Sequence, residues 1–428
     1  MANLFDELQW RGLVTESTDG LRDAFGEERV TAYIGFDPTA SSLHVGSLLT
    51  VMGLARLQRF GHTPIAIVGG GTGMIGDPSG KSQERQLLSR EQIDENVAGI
   101  RAQLEKFLDF DTAPNAARII NNADWLARFD LLGFLRDTGK FFTVNYMLQK
   151  ESVNRRLESE EGISYTEFSY LLLQARDFLE LFDRYHCTLQ MGGSDQWGNI
   201  TAGIELIRKL RAAKAHGLVW ALMTTASGAK FGKTEAGTIW LDPARTSPFQ
   251  FYQFWLNTDD RDVVNYLKFF TFLERSRIDE LDGLTRSAPE KREAQRVLAR
   301  EVTALVHGGD EVENAIAASE RLFSRGVWDL PVDELLSTLG NAPSTPVTMS
   351  QIAEERPIGQ WLFEIGLVSS RSEAVRLIRS GGIYVNDQQV QDDKRRVTVA
   401  DVWKGALVVL GKGKRNKHVL RISEHPGA

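Results

Sequence analysis

The sequence has almost no cysteine and no long apolar run, and each shortage excludes a class of protein. Cys187 is the only cysteine among 428 residues. One thiol cannot form an internal disulfide, so a disulfide-stabilised secreted scaffold is excluded and a cytoplasmic location is expected. No run of 18 or more apolar residues occurs, so we predict no transmembrane helix and no membrane partner. The mixed, acidic N-terminal residues do not resemble a signal peptide.

Histidine is also scarce, and its spacing excludes the common zinc sites. The 7 histidines are scattered along the chain. His186 stands beside Cys187, but no further ligands follow at chelating spacing. We therefore interpret this pair as structural and predict no metal site.

Size and composition indicate an ordinary globular protein of several domains. Of the 428 residues, 42% are hydrophobic and 25% are charged, which is typical of soluble folded chains. A single hydrophobic core rarely supports a chain of this length, so two or three domains are expected.

The first half of the chain alternates between strand and helix patterns. Short apolar, β-rich runs predict strands at 30–36, 63–69, 117–122, 187–193 and 218–225. Helical patterns cover 43–61 and 200–213. Such alternation predicts an α/β fold with a parallel, Rossmann-like sheet, whose ligand lies beyond the carboxyl ends of the strands. We assign residues 1–225 to this catalytic domain, with a helical insertion near 124–185.

The second half divides into a helical region and a basic tail. Apolar residues at helical spacing predict a helical domain over 226–328, and a proline-rich stretch predicts a linker over 329–348. Residues 349–428 are expected to form a small α+β domain. Its stretch 394–421 holds nine basic residues and one acid, a local charge of +8, whereas the whole chain carries −7. This asymmetry predicts a nucleic-acid partner for the tail, because phosphate contacts need clustered Lys and Arg.

Two glycine-rich patterns resemble known nucleotide-binding motifs. In both cases the neighbouring residues argue against that mode of binding. Residues 71–76 spell GxGxxG after a predicted strand, as in nicotinamide dehydrogenases. Asp77 and Pro78 follow at once, so a continuous phosphate-binding helix is not expected. Residues 80–82 resemble the end of a P-loop, but the required first glycine is Ile75. Lys81 and Arg85 could clamp a phosphate, although a solvated loop explains these two charges equally well.

Two further motifs are more consistent with a phosphate-binding site, because both could contribute to the same cleft. Residues 37–47 predict a turn leading into a helix that begins beside His44 and Gly46, and helix N-termini bind anions. Residues 230–234 place Lys230 and Lys233 in a glycine-flanked loop that suits a clamp over a polyphosphate. A parallel sheet would deliver both motifs to one cleft.

These motifs resemble the HIGH and KMSKS signatures of class I aminoacyl-tRNA synthetases. The surrounding segments 33–39, 164–178 and 192–199 are similar to the bacterial-type tyrosyl-tRNA synthetases, and the likeness runs from residue 8 onward. Segments 369–374 and 378–386 resemble the S4 RNA-binding domain. Ser47 replaces the second histidine of the HIGH signature, and Phe231 and Gly232 occupy the middle of the lysine loop.

The resemblance implies activation of L-tyrosine by ATP, with Mg²⁺, followed by transfer of the tyrosyl group to the 3′-terminal adenosine of tRNA(Tyr). It also implies a homodimer with residues 124–165 as the candidate interface, and no permanently bound cofactor. The implied catalytic residues are Thr39, His44, Lys81, Arg85, Lys230, Lys233 and Thr234. The residues implied for tyrosine are Tyr33, Asp77, Tyr170, Gln174, Asp177 and Gln196. Those implied for ATP are Gly35, Asp37, His44, Gly46, Ser47, Gly193, Asp195 and Lys233. For tRNA, basic residues of the tail are implied, namely Arg371, Lys394, Arg395, Arg396, Lys412, Lys414, Arg415 and Lys417.

Three other functions compete with this interpretation. A tryptophanyl-tRNA synthetase would share the sheet and both loops, but the Tyr33–Asp177 pair and the S4-like tail favour tyrosine. An RNA-binding protein on a degenerate synthetase fold is disfavoured by the retained His44 and lysines. A nicotinamide dehydrogenase is disfavoured by the context of the GxGxxG pattern.

Overall fold

The chain folds into two compact units. The computed structural model describes residues 3–79, 88–112, 114–160, 162–226, 228, 231–234, 237–323, 343–413 and 416–423. One unit contains residues 1–233, 238–245 and 258–298, and the other contains 234–237, 246–257 and 299–428.

A six-stranded sheet forms the centre of the first unit. Its strands are β1 (Glu16–Ser17), β2 (Thr31–Phe36), β3 (Thr63–Val68), β4 (Arg118–Asn121), β5 (Cys187–Gly193) and β6 (His216–Trp220). The spatial order is β1-β6-β5-β2-β3-β4. All neighbours run parallel except β1, which pairs antiparallel with β6 at the edge. The predicted parallel α/β sheet is confirmed, and the chain order reverses direction between β2 and β5, where such sheets bind ligands.

Ten helices precede or follow these strands in the part of the chain that the structure describes. They are α1 (Leu4–Trp10), α2 (Leu21–Glu27), α3 (Val45–Arg59), α4 (Arg90–Leu104), α5 (Ala123–Leu126), α6 (Leu131–Asp137), α7 (Val144–Leu148), α8 (Glu151–Leu157), α9 (Tyr165–Tyr185) and α10 (Trp197–Arg211). The longest of them, α9, follows the N-cap residue Ser164, whose side chain accepts from the backbone N–H of Glu167. It ends at His186 in the left-handed conformation, so this histidine serves as a helix cap.

Among the residues described between the sheet and residue 323, there are five helices and two short strands. The strands are β7 (Lys233–Thr234) and β8 (Gly237–Thr238), and the helices are α11 (Pro248–Leu256), α12 (Asp260–Phe270), α13 (Arg275–Ser287), α14 (Glu293–His307) and α15 (Gly309–Phe323). The predicted helical content of this region is confirmed. The expected boundary at residue 225 differs from the observed grouping, because α12 and α13 belong to the unit that contains the sheet. Buried polar contacts from Arg56 and Arg11 to residues at the end of α12 explain this grouping.

A five-stranded sheet organises the C-terminal residues. Its strands are β9 (Ser344–Val347), β10 (Ile383–Val385), β11 (Gln388–Val390), β12 (Leu407–Lys412) and β13 (Asn416–Ile422), in the order β11-β10-β12-β13-β9. Helices α16 (Met349–Ala353), α17 (Ile358–Glu364) and α18 (Arg371–Arg379) enclose a core that includes Trp361 and Leu420. The predicted linker lies largely outside the described residues. Its described end, β9, pairs with β13, so this small domain begins before the expected residue 349.

Short 3₁₀ helices complete the described secondary structure, at Thr72–Met74, Gly139–Phe141, Ser194–Gln196, Pro289–Lys291 and Val399–Asp401. The first of these is all that follows β3 in the GxGxxG stretch. The structure therefore confirms that no continuous helix begins there for a dinucleotide pyrophosphate. Among the described helices, none has the length and apolar character needed to cross a membrane.

Candidate active site

A cavity of about 580 Å³ opens at the carboxyl ends of the parallel strands. Residues from β2, β5 and the segment after β6 line it, together with the N-terminus of α3 and one face of α9. Polar and apolar side chains both contribute to the lining. The position and size of this cavity are those of a small-molecule site in an open parallel sheet.

Helix α9 supplies a polar stripe to this cavity. Tyr170, Gln174 and Asp177 stand four and three residues apart, so they lie on one face of the helix. All three line the cavity, and Tyr170 and Asp177 are buried. The helix therefore presents a hydroxyl, an amide and a carboxylate to one ligand.

Asp177 is a buried carboxylate held by two donors. Asn122 donates from Nδ2 at 2.9 Å and Trp125 donates from Nε1 at 2.7 Å, one to each oxygen. Burial raises the pKa of Asp177 to about 7 despite these hydrogen bonds. On the neighbouring strand β2, burial also raises the pKa of Tyr33, whose hydroxyl has no hydrogen-bond partner among the described residues. This part of the cavity can both donate to and accept from a ligand hydroxyl.

The raised pKa of Asp177 makes stability depend on pH. The folded protein holds this proton more tightly than the unfolded chain, so the free energy of unfolding should fall as pH rises from about 4 to about 7. The variant Asp177→Asn should lose this dependence and exceed the wild type at pH 8 by at most about 4 kcal/mol, the equivalent of a pKa rise from 3.8 to about 7. Denaturant unfolding of both proteins at pH 5 and pH 8 measures the difference. Equal pH dependence in the two proteins would contradict the assignment.

A chain of side-chain amides leads to a second buried carboxylate, Asp77. Gln196 donates to Asp77 at 2.8 Å, and Gln174 donates to Gln196 at 3.2 Å. Asn199 donates to both glutamines at 3.1 and 3.2 Å, and the backbone N–H of Ser79 donates to Asp77 at 2.9 Å. This cluster offers a negative charge and oriented amide oxygens, which suit a ligand ammonium.

Asp37 extends the polar network of Asp177 toward Tyr170. The Tyr170 hydroxyl lies 3.4 Å from its carboxylate, and the Thr72 hydroxyl lies 3.4 Å from it on the other side. Asn122 donates to Thr72 at 2.9 Å as well as to Asp177. The polar groups around the cavity are therefore held by one another before any ligand binds.

The N-terminus of α3 forms another wall of the cavity. His44 caps the helix with extended backbone, and its ring lies 6.1 Å from that of Trp240, centroid to centroid. A Cβ at Gly46 would lie 2.8 Å from the imidazole Cε1, so glycine here makes room for the His44 ring. The helix extends over 15 residues, and its N-terminal partial positive charge favours an anion.

A third wall follows β5. A Cβ at Gly193 would lie 2.6 Å from Oδ1 of Asp195, so this glycine lets the carboxylate fold back against the backbone. Asp195 lines the cavity beside Gly192 and Gly193. Carboxylates in such positions accept hydrogen bonds from the hydroxyls of a ribose.

Most predicted site residues are brought together in this cavity. Those in its lining are Tyr33, Gly35, Asp37, His44, Gly46, Ser47, Asp77, Tyr170, Gln174, Asp177, Gly193, Asp195 and Gln196. Thr39 is exposed and does not belong to the lining. Lys81, Arg85 and Lys230 lie outside the described residues. Lys233 and Thr234 form β7, and their side chains lie outside the description.

Sequence reasoning missed several polar residues of the site. Asn122 directly follows β4, and the rule that ligands lie beyond parallel strand ends could have identified it. Trp125 and Thr72 carry no such signal, because their roles depend on which side chains they meet. Gln190 on β5 is buried in the lining, and its Oε1 has no partner among the described residues.

The basic tail residues differ in exposure. Arg371, Lys394 and Arg396 are exposed, so they can contact a partner. Arg395 pairs with Asp401, and Lys412 pairs with Glu373 at 2.9 Å. Lys414 and Arg415 lie outside the described residues.

Lys417 is a correction to the predicted RNA-contact residues. Its side chain is buried and pairs with Asp387 at 2.7 Å. Buried lysines are uncommon unless they are paired, and this pair joins β13 to the turn after β10. Lys417 therefore supports the fold of the small domain.

Comparison with known proteins identifies the family. The family model described as tRNA synthetases class I (W and Y) matches residues 26–324, and that of the Tyrosine--tRNA ligase SYY-like C-terminal domain matches residues 335–420. A tyrosine--tRNA ligase of Roseiflexus castenholzii is 53% identical over 423 residues, which cover 99% of this chain and 100% of that protein. The chain belongs to the bacterial-type class I tyrosyl-tRNA synthetases. The predicted resemblance is confirmed.

Other members of the family agree with this assignment. A tyrosine--tRNA ligase of Geobacillus stearothermophilus is 51% identical over 98% of this chain and 99% of its own length. The solved structure of a C-terminally truncated mitochondrial tyrosyl-tRNA synthetase from Aspergillus nidulans matches with a TM-score of 0.68 and 32% identity, covering 75% of this chain and 94% of that chain. A tryptophanyl-tRNA synthetase from Plasmodium falciparum, with a TM-score of 0.52 and 15% identity, shares the fold.

Proposed function

We propose that the chain joins L-tyrosine to tRNA(Tyr) in two steps. Tyrosine and ATP give tyrosyl-adenylate and pyrophosphate, and the tyrosyl group then passes to the 3′-terminal adenosine of the tRNA. The observation that carries this proposal is that Tyr33 and Asp177, both buried, line the same cavity. A phenol hydroxyl can donate to a carboxylate and accept from another hydroxyl, whereas the indole N–H of tryptophan can only donate.

The residues of the cavity divide naturally between the two ends of tyrosine. Asp177 and Tyr33 receive the phenol hydroxyl, whereas Asp77, Tyr170 and Gln174 receive the α-ammonium. Gln196 donates to Asp77 and holds that carboxylate in place. The tyrosine carboxylate is thereby directed toward His44 and the N-terminus of α3.

The first step needs no general base, because the tyrosine carboxylate is already an ionised nucleophile. The α-phosphorus of ATP accepts this oxygen while its bond to the pyrophosphate oxygen breaks. Catalysis then depends on positioning and on stabilising the charge of the phosphates. His44 and the α3 N-terminus support the phosphates, and Asp195 supports the ribose. ATP is expected to arrive with Mg²⁺, and the described residues contain no group of three or more ligating side chains that could hold a metal ion by itself.

Pyrophosphate exchange into ATP tests the activation step. The assay is run with each of the twenty amino acids in turn, and tyrosine alone is expected to support exchange. Exchange with tryptophan would instead favour the tryptophanyl enzyme that shares this fold. Absence of exchange together with tRNA binding would favour an RNA-binding protein on a degenerate synthetase fold.

The exposed basic residues of the small domain are proposed to bind tRNA. The double charge reversal Arg371→Glu with Lys394→Glu should weaken tRNA charging roughly tenfold or more, because each basic contact releases condensed counterions from the phosphate backbone. Tyrosine-dependent exchange should remain unchanged, since both residues lie outside the cavity lining. Charging rates at several salt concentrations check this, with Lys106→Glu, an exposed lysine outside the tail, as the control for charge reversal. Unaltered charging would contradict the proposal.

We propose a homodimer formed through the region 124–165. Large apolar side chains there are solvent-exposed, including Leu131 at 70%, Leu132 at 77%, Val144 at 59% and Tyr165 at 70%. Such a cluster is unusual on a monomer surface. The double variant Leu131→Asp with Leu132→Asp should sediment as a monomer at concentrations where the wild type is a dimer. Leu222→Asp, another exposed leucine, tests whether any added charge has that effect. A wild-type monomer would refute the dimer.

We also propose a cytoplasmic location. A single cysteine, buried and without a disulfide, is typical of proteins in reducing compartments. Cell fractionation would detect the protein elsewhere if this is wrong.

A further inference from the structure

Phe231, which lies between the two catalytic lysine candidates Lys230 and Lys233 in the sequence, packs against the aromatic side chains of a helix. Phe231 follows Lys230 and precedes Lys233, and it is 8% exposed. Its ring lies 5.0 Å from that of Tyr266 and 5.4 Å from that of Phe270, centroid to centroid. The planes of Phe231 and Phe270 differ by 15°, which indicates a stacked pair. Phe231 also belongs to the cavity lining.

Helix α12 contacts the same segment at a second point. The carboxylate of Asp262 accepts from the backbone N–H of Ala226 at 3.0 and 3.1 Å. Asp262, Tyr266 and Phe270 are four residues apart in turn, so one face of α12 carries all three. The helix thus holds the chain on both sides of residues 227–230.

The N-terminus of α3 provides a third attachment. The backbone N–H of Val45 donates to the carbonyl of Ile239 at 3.0 Å, and the N–H of Ile239 donates to the carbonyl of Gly232 at 3.1 Å. A Cβ at Gly232, whose φ is +79°, would lie 2.6 Å from Cγ2 of Val45. Only glycine permits this approach, and Gly232 therefore lies against Val45, the residue next to His44.

Two buried arginines fix the other end of α12. Nη2 of Arg56, on α3, donates to the carbonyls of Lys268, Phe269 and Thr271 at 3.0, 2.6 and 2.9 Å. Arg11 donates to the carbonyls of Lys268, Thr271 and Leu273 at 2.8, 3.2 and 2.8 Å. The last carbonyls of a helix lack partners within it, and a guanidinium satisfies them and complements the helix dipole. Hydrogen bonds from α3 therefore fix the end of α12, and side chains of α12 in turn contact Ala226 and Phe231.

We propose that Tyr266 and Phe270 are positioning residues for adenylate formation: they hold the ring of Phe231, which fixes Phe231 and Gly232, the residues between the two lysines in the sequence, beside the N-terminus of α3. Arg56 contributes to this positioning, because its hydrogen bonds attach the end of α12, which carries Phe270, to α3, the helix that begins beside His44. None of these three residues has to touch ATP. The inference deepens the proposed function and depends on it, since the lysines matter only if a polyphosphate is bound.

The test separates positioning from stability. Tyr266→Ala should lower the pre-steady-state rate of adenylate formation roughly tenfold or more, because small displacements of catalytic groups are costly in rate. The Kd for tyrosine should stay within about twofold, since the proposed tyrosine contacts lie on α9, on β2 and at Asp77 after β3. Tyr266→Phe keeps the ring and should restore the rate. Phe25→Ala removes a ring of similar burial, 6% exposed against 5% for Tyr266, and should alter the melting temperature without altering the rate. If Tyr266→Ala does not fold, Tyr266→Leu takes its place.

A double-mutant cycle with Lys233→Ala identifies the route of the effect. If Tyr266 acts by positioning the lysine segment, Tyr266→Ala should slow the Lys233→Ala enzyme by much less than it slows the wild type. Full additivity would overturn the inference, as would an unchanged rate for Tyr266→Ala in an active protein. A wild type that lacks tyrosine-dependent exchange would instead refute the proposed function.

Discussion

Replacing Asp177 by alanine is expected to lower the ratio of kcat/KM for tyrosine over phenylalanine by at least about 10²-fold. Asp177 is a buried carboxylate, with Asn122 and Trp125 each donating to one of its oxygens. In the wild type, phenylalanine would leave this carboxylate and the Tyr33 hydroxyl without a ligand partner. Sites of this kind reject the analogue that lacks the hydroxyl, and about 10⁵-fold is the value already established for tyrosine-specific synthetases.

The alanine variant removes both the attraction for the phenol and the penalty on phenylalanine. The loss should therefore fall on tyrosine, whereas kcat/KM for phenylalanine should hold or rise. Asp183→Ala is the matched control, because Asp183 lies on the same helix and pairs with Arg211 at 2.6 Å away from the cavity lining. Steady-state exchange kinetics with both amino acids measure the ratio. A ratio unchanged in Asp177→Ala would exclude this carboxylate from phenol recognition.

The parallel sheet was predictable because its signals are local. Each strand from β2 to β6 overlaps a short apolar run, although the run predicted at 218–225 shares only residues 218–220 with β6, and the helices between them follow helical spacing. The helical pattern after residue 248 is equally local. The division of these helices between two units could not be predicted from that pattern. Arg56 and Arg11 bury their guanidinium groups against the end of α12, and a charge pattern in sequence gives no indication of such burial.

The site was predictable to the extent that the family motifs contain it. Without that resemblance, Asp177 would have been interpreted as a solvated helix acid, because aspartate side chains are usually exposed. The structure shows it buried, and the donors that make burial tolerable, Asn122 and Trp125, lie more than fifty residues away. The aromatic seat of Phe231 is another contact between distant segments. Tertiary partnerships of this kind leave no periodic trace in a sequence.

Replacing Lys230 or Lys233 by alanine is expected to slow adenylate formation by about 10² to 10³-fold each, while the Kd for tyrosine changes little. Negative charge accumulates on the leaving pyrophosphate in the transition state. An ammonium placed there stabilises the transition state more than the ground state, so kcat should carry the loss. Lys→Arg at either position keeps the charge and should recover part of the rate, whereas Lys106→Ala, at an exposed lysine outside the cavity lining, should have no effect.

The packing of Phe231 against Tyr266 and Phe270 is the reason that we expect this effect at residues 230 and 233 in particular. Lys230 and Lys233 are close to Phe231 in the sequence, and the ring of Phe231, which lines the cavity, packs against Tyr266 and Phe270. The lysines should then act as a unit, and the double alanine variant should lose less than the product of the two single losses. Single-turnover measurement of adenylate formation with excess enzyme gives the three rates directly. Rates within threefold of the wild type in both single variants would show that the phosphates are stabilised elsewhere, with His44 and the N-terminus of α3 as the remaining source.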